Sequence, residues 1–193
     1  MIEPQTTALI LLAAGRSTRF GGGNKLAQPW RGLPLGLHAA KALEPVPFAR
    51  RIAVTSAGDP GYRELRFDVV SNPTPEAGLS SSIRLGIAAA RAGPIQAVVV
   101  ALADMPRVTA AQILRLFALQ HGPSTIVASR DGPQAKPPVL FGANLFADLE
   151  RLSGDRGARD LLRSGRLAEG DPHELVDIDN MADLENLRSE FGV

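Results

Sequence analysis

The stretch Leu12-Ala-Ala-Gly-Arg-Ser-Thr-Arg-Phe-Gly-Gly-Gly-Asn-Lys-Leu26 combines small residues, clustered glycines and cations, with no acid among them. Ala13, Ala14 and Gly15, with the glycines at 21–23, let backbone N–H groups come close to a ligand, while Arg16, Arg19 and Lys25 add fixed positive charge. That is the composition of a polyphosphate cradle, and equally of a flexible glycine loop with surface arginines. The position of Lys25 favours the cradle, because lysine is scarce here, at 25, 41 and 136 only. Two familiar phosphate loops are excluded by residue order. No Gly-Lys-Ser/Thr follows four residues after a glycine, and the glycines do not fall as Gly-x-Gly-x-x-Gly.

Asp104 follows the uncharged run Ala97 to Ala103. A carboxylate at the end of a buried strand can hold Mg²⁺, a hard cation that takes Asp and phosphate oxygens together. A turn or helix-capping role is the competing reading, since Pro106 and a helix follow. Gly78-Leu-Ser-Ser-Ser-Ile83 brings three hydroxyls to a helix start, where anions and polar edges bind. No Gly-x-Ser-x-Gly elbow is present, which excludes a serine hydrolase of that kind.

These residues need a scaffold that brings them together, and the hydrophobic periodicity predicts one. Thr7–Leu12, Arg51–Thr55, Phe67–Val70, Gln96–Leu102, Ser124–Ser129, Pro138–Phe141 and Val176–Ile178 read as strands. Leu35–Leu43, Ser80–Arg91, a helix capped by Thr109 and running to Gln120, Ala143–Leu152, Gly157–Arg163 and Ala182–Glu190 read as helices. Strands alternating with helices imply one domain over 1–193, a three-layer α/β/α, Rossmann-like, mostly parallel sheet. In such sheets ligands collect beyond the carboxyl ends of the strands, where the cradle and Asp104 both lie.

Composition narrows the partners. The 193 residues are 45% apolar, enough for a sizeable core, and 21 Lys+Arg nearly cancel 20 Asp+Glu, so no global field favours nucleic acid or anionic lipid. With no Cys, and with His38, His121 and His173 far apart, thiol catalysis, disulfide scaffolds and ordinary structural zinc sites lack ligands. Charge is nevertheless uneven: residues 1–100 carry 11 basic and 6 acidic side chains, residues 101–193 carry 10 and 14. The start lacks the basic region of a signal peptide, and no apolar run approaches the roughly 20 residues that span a bilayer, so a soluble, cytoplasmic protein is expected.

The loop Leu12 to Gly21 with Lys25 resembles the signature of the MobA-like NTP transferases, the nucleotidyltransferases of molybdenum cofactor biosynthesis. The resemblance continues through Glu76-Ala-Gly-Leu-Ser-Ser-Ser82, Leu102-Ala-Asp-Met-Pro106, Pro138-Val-Leu-Phe141, Gly154-Asp-Arg-Gly-Ala-Arg159 and Val176-Asp-Ile-Asp179, and covers nearly the whole chain. The Ser-Ser-Ser and Gly-Asp-Arg-Gly-Ala-Arg elements look most like the cytidylyltransferase, or MocA-like, branch. The resemblance implies a fold of the nucleotide-diphospho-sugar transferase type. It also implies transfer of CMP from CTP to the terminal phosphate of molybdopterin, with release of pyrophosphate. On that carry-over Leu12, Ala13, Ala14, Gly15, Arg16, Arg19 and Lys25 hold the triphosphate, and Ser80, Ser81 and Ser82 seat base and ribose. Asp104 and Asp179 bind Mg²⁺, with Mn²⁺ as the alternative, and Asp155 and Arg159 border the pterin. Ala14 goes with CTP, where the guanylyltransferase branch has Gly. A molybdoenzyme maturation factor is the protein partner that the resemblance suggests.

One departure bears on the acceptor. Relatives carry Gly-His-Pro before Val-Leu-Phe; here Lys136-Pro137-Pro138 puts Pro137 at the histidine position, with Lys136 as a substitute phosphate contact or a plain loop lysine. Three readings therefore compete: the cytidylyltransferase, a transferase using GTP or another phosphorylated acceptor such as a sugar or polyol phosphate, and a nucleotide-binding protein without turnover.

Overall fold

Strand β1 (Thr7–Ala13) is buried along its whole length, and its residues alternate between two cores. Leu9, Leu11 and Ala13 face one, with helices α1 (Leu35–Ala42) and α3 (Ala110–Ala118); Ala8, Ile10 and Leu12 face the other, with α2 (Leu79–Ala90) and α4 (Phe146–Glu150). A strand clothed on both faces reads as a continuous apolar run, which is why Thr7–Leu12 is so plain in the sequence. The structure, a computed structural model, describes residues 1–21, 23–56, 58–154 and 161–192.

A pair of two-residue strands, β2 (Pro29–Trp30) and β3 (Leu33–Pro34), forms a small antiparallel ribbon, and the main sheet adds β4 (Arg50–Thr55), β5 (Asp68–Ser71), β6 (Ala97–Leu102), β7 (Ile126–Arg130), β8 (Ala135–Gly142) and β9 (Arg166–Glu169). Its order is β5-β4-β1-β6-β8-β7-β9. Every main-sheet pairing is parallel except the two made by β8, which runs against β6 and β7. The mostly parallel three-layer reading therefore holds. The exception has a local cause: only residues 131–134 separate β7 from β8, too few for a crossover to a parallel neighbour. The final helix, α5 (Met181–Phe191), starts from an Asn180 capping box and packs away from the sheet on Phe20, Trp30 and Leu35.

Two expectations differ in detail. Val176–Ile178 forms no strand; it is an irregular segment crossing the end of β6, where the Ile178 N–H donates to the Asp104 carbonyl at 2.9 Å. Strand β9 went unread because an edge strand carrying Arg166 and Glu169 at its ends hides its short apolar centre. The helix expected over Gly157–Arg163, and Asp155 and Arg159, fall in or across residues 155–160, outside the described residues. Among the described residues no helix is long and apolar enough to cross a membrane.

Helix α2 lies unusually close to β1 because Gly86 faces Ile10: a Cβ at 86 would meet the Ile10 Cγ2 at 2.4 Å. Gly86→Ala therefore overpacks this core and is expected to cost roughly 1–3 kcal/mol, read as a lower denaturation midpoint, despite alanine's better helix propensity. A neutral or stabilising result would show that α2 is free to shift.

Candidate active site

Parallel register sets the site. Leu12 pairs with Leu102, and the Ala103 N–H donates to the Leu12 carbonyl at 3.0 Å, so the loop leaving β1 and Asp104 leaving β6 emerge side by side at the carboxyl edge. Between them and the start of α2 opens a cleft of about 400 Å³. One wall is the loop from Ala14 to Arg19 with Lys25 and Leu26; the other is Pro75, Glu76, Gly78 and Leu79 with Ser82; Leu12, Leu102, Asp104 and Asp179 complete it. The cradle and Asp104, 79 residues apart, share this single cavity.

The loop holds its shape through its own polar groups. Ser17 sits at φ +50° and Gly21 at φ +67°, left-handed conformations that turn the chain tightly. The Phe20 N–H donates to the Ser17 carbonyl at 2.9 Å, the Lys25 N–H donates to Ser17 Oγ at 3.1 Å, and Asn24 caps the next turn through the Leu26 N–H at 3.0 Å. Phe20 is buried among Trp30, Ile178, Leu184 and Leu187, anchoring the loop's middle to the carboxyl-terminal helix.

Lys25 is a buried lysine, its side chain 8% exposed. Its Nζ donates to Asp104 Oδ2 at 2.6 Å, to the Ile178 carbonyl at 2.9 Å and to Asp179 Oδ1 at 3.4 Å. Arg19 reaches the other oxygen of Asp179 at 2.7 Å. Arg16 is exposed on the cleft wall and has no ion-pair partner among the described residues. Burial pushes the Asp104 carboxyl above the ordinary range, with the Lys25 ammonium opposing and the nearby Asp177 charge adding to the rise. The Asp104 Oδ1 atom is buried without a hydrogen-bond partner among the described residues.

The donor set can be tested against a divalent cation. No cluster of three or more His, Cys, Asp or Glu residues is present among the described residues, so a full protein cage does not form. Mg²⁺ does not require one, since it keeps several waters and takes one or two carboxylates plus substrate phosphates. Two carboxylates beside an open cleft, one with an orphaned oxygen, fit that requirement.

Not every expected residue reaches the cavity. Leu12, Ala14, Gly15, Arg16, Arg19, Lys25, Asp104 and Asp179 line it, whereas Ala13 points into the core beneath. Of the three serines only Ser82 borders it. Ser81 turns inward, donating to the Gly78 carbonyl at 2.8 Å, and Ser80 is buried. Lys136 is also elsewhere, held by Asp131 at 2.8 Å and by the Leu175 carbonyl at 3.0 Å, which accounts for its charge without a phosphate.

Two contributors were not identified from sequence. Asn72, in what reads as a turn, is buried and donates through Nδ2 to Ser81 Oγ and Ser82 Oγ, each at 2.9 Å, fixing the start of α2. Its position one residue past β5, at the same carboxyl edge, was the available signal. Glu76 lies exposed on the cleft wall opposite the cations; it opens the Glu76–Ser82 stretch of the resemblance, which assigned it no role.

Comparison with known proteins identifies the family. Residues 9–171 match the MobA-like NTP transferase domain. The purine catabolism protein PucB of Bacillus subtilis (strain 168) is 31% identical over 93% of this chain and 94% of its own length. A molybdenum cofactor guanylyltransferase of Pseudomonas aeruginosa is 30% identical over 86% of each chain. The crystal structure of the Rv0371C complex with manganese from Mycobacterium tuberculosis H37Rv superposes with a TM-score of 0.71 at 26% identity, covering 94% of this chain and 97% of that one. A cationic glycine loop and a strand-end aspartate sharing one cleft, within a match this long, make the chain a nucleotidyltransferase of the MobA-like NTP transferase domain family.

Proposed function

We propose that this protein transfers CMP from CTP to the terminal phosphate of molybdopterin, releasing pyrophosphate, and that it does so with Mg²⁺. The observation that carries the reading is the convergence of Arg16, Arg19 and Lys25 with Asp104 and Asp179 in one cleft. A phosphate monoester is already an anion near neutral pH, so no side chain has to take its proton; the difficulty is repulsion between two polyanions. Arg16 and the loop N–H groups bind and align the triphosphate, offsetting the charge that builds on the leaving pyrophosphate. Asp104 and Asp179 would hold the Mg²⁺, which supplies charge neutralisation on phosphate oxygens when bound. The manganese bound by the Mycobacterium tuberculosis relative supports a divalent cation in this role.

The choice of CTP rests on Ala14, which lines the cleft where the guanylyltransferase branch carries Gly. A second reading, GTP as donor, is favoured by relatives named molybdenum cofactor guanylyltransferase. Thermal shifts separate them: CTP with Mg²⁺ is expected to raise the melting temperature more than GTP with Mg²⁺, since the better-bound ligand stabilises more at equal concentration. A larger shift with GTP reverses the assignment. Pyrophosphate release that requires molybdopterin, and that sugar or polyol phosphates do not replace, tests the acceptor.

A further inference from the structure

We propose that Lys25 is a resident counter-ion for Asp104 and Asp179, so that the cleft takes up a divalent cation tightly only together with a triphosphate, toward which Lys25 turns. The inference rests on the reading of those two carboxylates as the metal-holding pair.

An ammonium has three N–H donors, and all three of Lys25 are already directed, at Asp104 Oδ2, the Ile178 carbonyl and Asp179 Oδ1. Arg19 occupies the remaining oxygen of Asp179. The ligand-free cleft thus balances three carboxylates, Asp104, Asp179 and Glu76, with three cations, Lys25, Arg19 and Arg16. A divalent cation arriving alone would enter a pocket already neutral and would meet Lys25 at close range, where exclusion from water strengthens like-charge repulsion. A triphosphate reverses the balance, because its oxygens are alternative acceptors for Lys25 and Arg19 and release the carboxylates. Asp104 Oδ1, buried and without a hydrogen-bond partner among the described residues, is the one carboxylate oxygen of the pair that Lys25 and Arg19 leave unoccupied.

The required movement is small. The Lys25 backbone is tied to Ser17 Oγ and its turn is capped by Asn24, so only the flexible four-carbon stem has to rotate. Arg16, with no ion-pair partner among the described residues, lies on the same wall and is available to the incoming phosphates before Lys25 turns. Lys25 in this account holds the protein's own carboxylates first and the triphosphate second.

The test measures Mn²⁺ binding directly, by electron paramagnetic resonance, with and without the non-hydrolysable α,β-methylene analogues of CTP and GTP. Wild-type protein should bind Mn²⁺ weakly alone and at least about tenfold more tightly with the preferred analogue. Lys25→Met should bind Mn²⁺ without nucleotide at least about tenfold more tightly than wild type, and gain less from the analogue. Lys25→Gln, which keeps N–H donors without the charge, should behave alike and serves if Lys25→Met does not fold. If neither variant binds Mn²⁺ more tightly than wild type while Asp104→Asn abolishes analogue-dependent binding, the counter-ion role is wrong and the metal site stands. If Asp104→Asn leaves analogue-dependent binding unchanged, the metal reading fails and takes this inference with it.

Discussion

Asp104→Asn is expected to lower the rate of pyrophosphate release by about 10²–10³-fold while the protein remains folded, an effect scaled on the loss of one preorganised charge-stabilising contact. The asparagine fits the same space at the end of β6 and still presents an oxygen to the Lys25 ammonium, which in wild type lies 2.6 Å from Asp104 Oδ2. What disappears is the negative charge. A steady-state assay with released pyrophosphate as the signal measures the loss, and an unchanged rate would remove Asp104 from the reaction. The variant also has a signature in stability. Burial raises the Asp104 carboxyl pKa in the folded state. The folded protein therefore holds this proton to higher pH than the unfolded chain does, and stability declines as pH rises from the unfolded value through the folded one. Asp104→Asn should lose that part of the slope, seen by comparing denaturation midpoints of the two proteins from about pH 4 to pH 8 in the same buffers.

Leu184→Ala is expected to cost about 2–5 kcal/mol, the range for truncating a fully buried leucine. Leu184 is at 0% exposure in the cluster that joins α5 to Phe20, Trp30, Leu35 and Ile178. Neighbouring polar contacts make the same joint: Trp30 Nε1 donates to the Gly192 carbonyl at 2.8 Å and Arg188 Nη2 to the Pro29 carbonyl at 2.6 Å. The chain has a single tryptophan, Trp30, so its fluorescence reports on this cluster alone. The expected result is a lower denaturation midpoint by tryptophan emission, with weaker nucleotide binding, because Ile178 and Asp179 lead into the same helix and hold Lys25. A midpoint within about 0.5 kcal/mol of wild type would show that the helix does not brace the loop.

Much of the scaffold was legible because burial on both faces leaves its mark in one dimension. The runs Thr7–Leu12 and Ala97–Ala101 can hardly be anything but central strands, and they flank each other in the sheet. The same logic failed where burial is one-sided or absent: β9 carries charge at both ends, and Val176 and Ile178 alternate with Asp177 because they pack on the α5 cluster, with no strand partner among the described residues. At the site, residue types were informative and orientations were not. Three consecutive serines at a helix start are indistinguishable on paper, yet successive helical positions point about 100° apart, so Ser82 borders the cleft while Ser81 turns back to the Gly78 carbonyl, with Asn72 reaching both hydroxyls.

The amino-acid order by itself determined the alternating α/β architecture, since apolar periodicity dictates which segments are buried; the glycine loop's cations suggested a polyanion, and the resemblance to the MobA-like family pointed to nucleotidyl transfer. Only the tertiary structure decided which charges neutralise which. Lys25, Asp104 and Asp179 are separated by 79 and 154 positions from the lysine, and nothing local selects those partners. Their pairing follows from the register between β1 and β6 and from α5 folding back over Phe20, long-range contacts whose energy depends on distance through space.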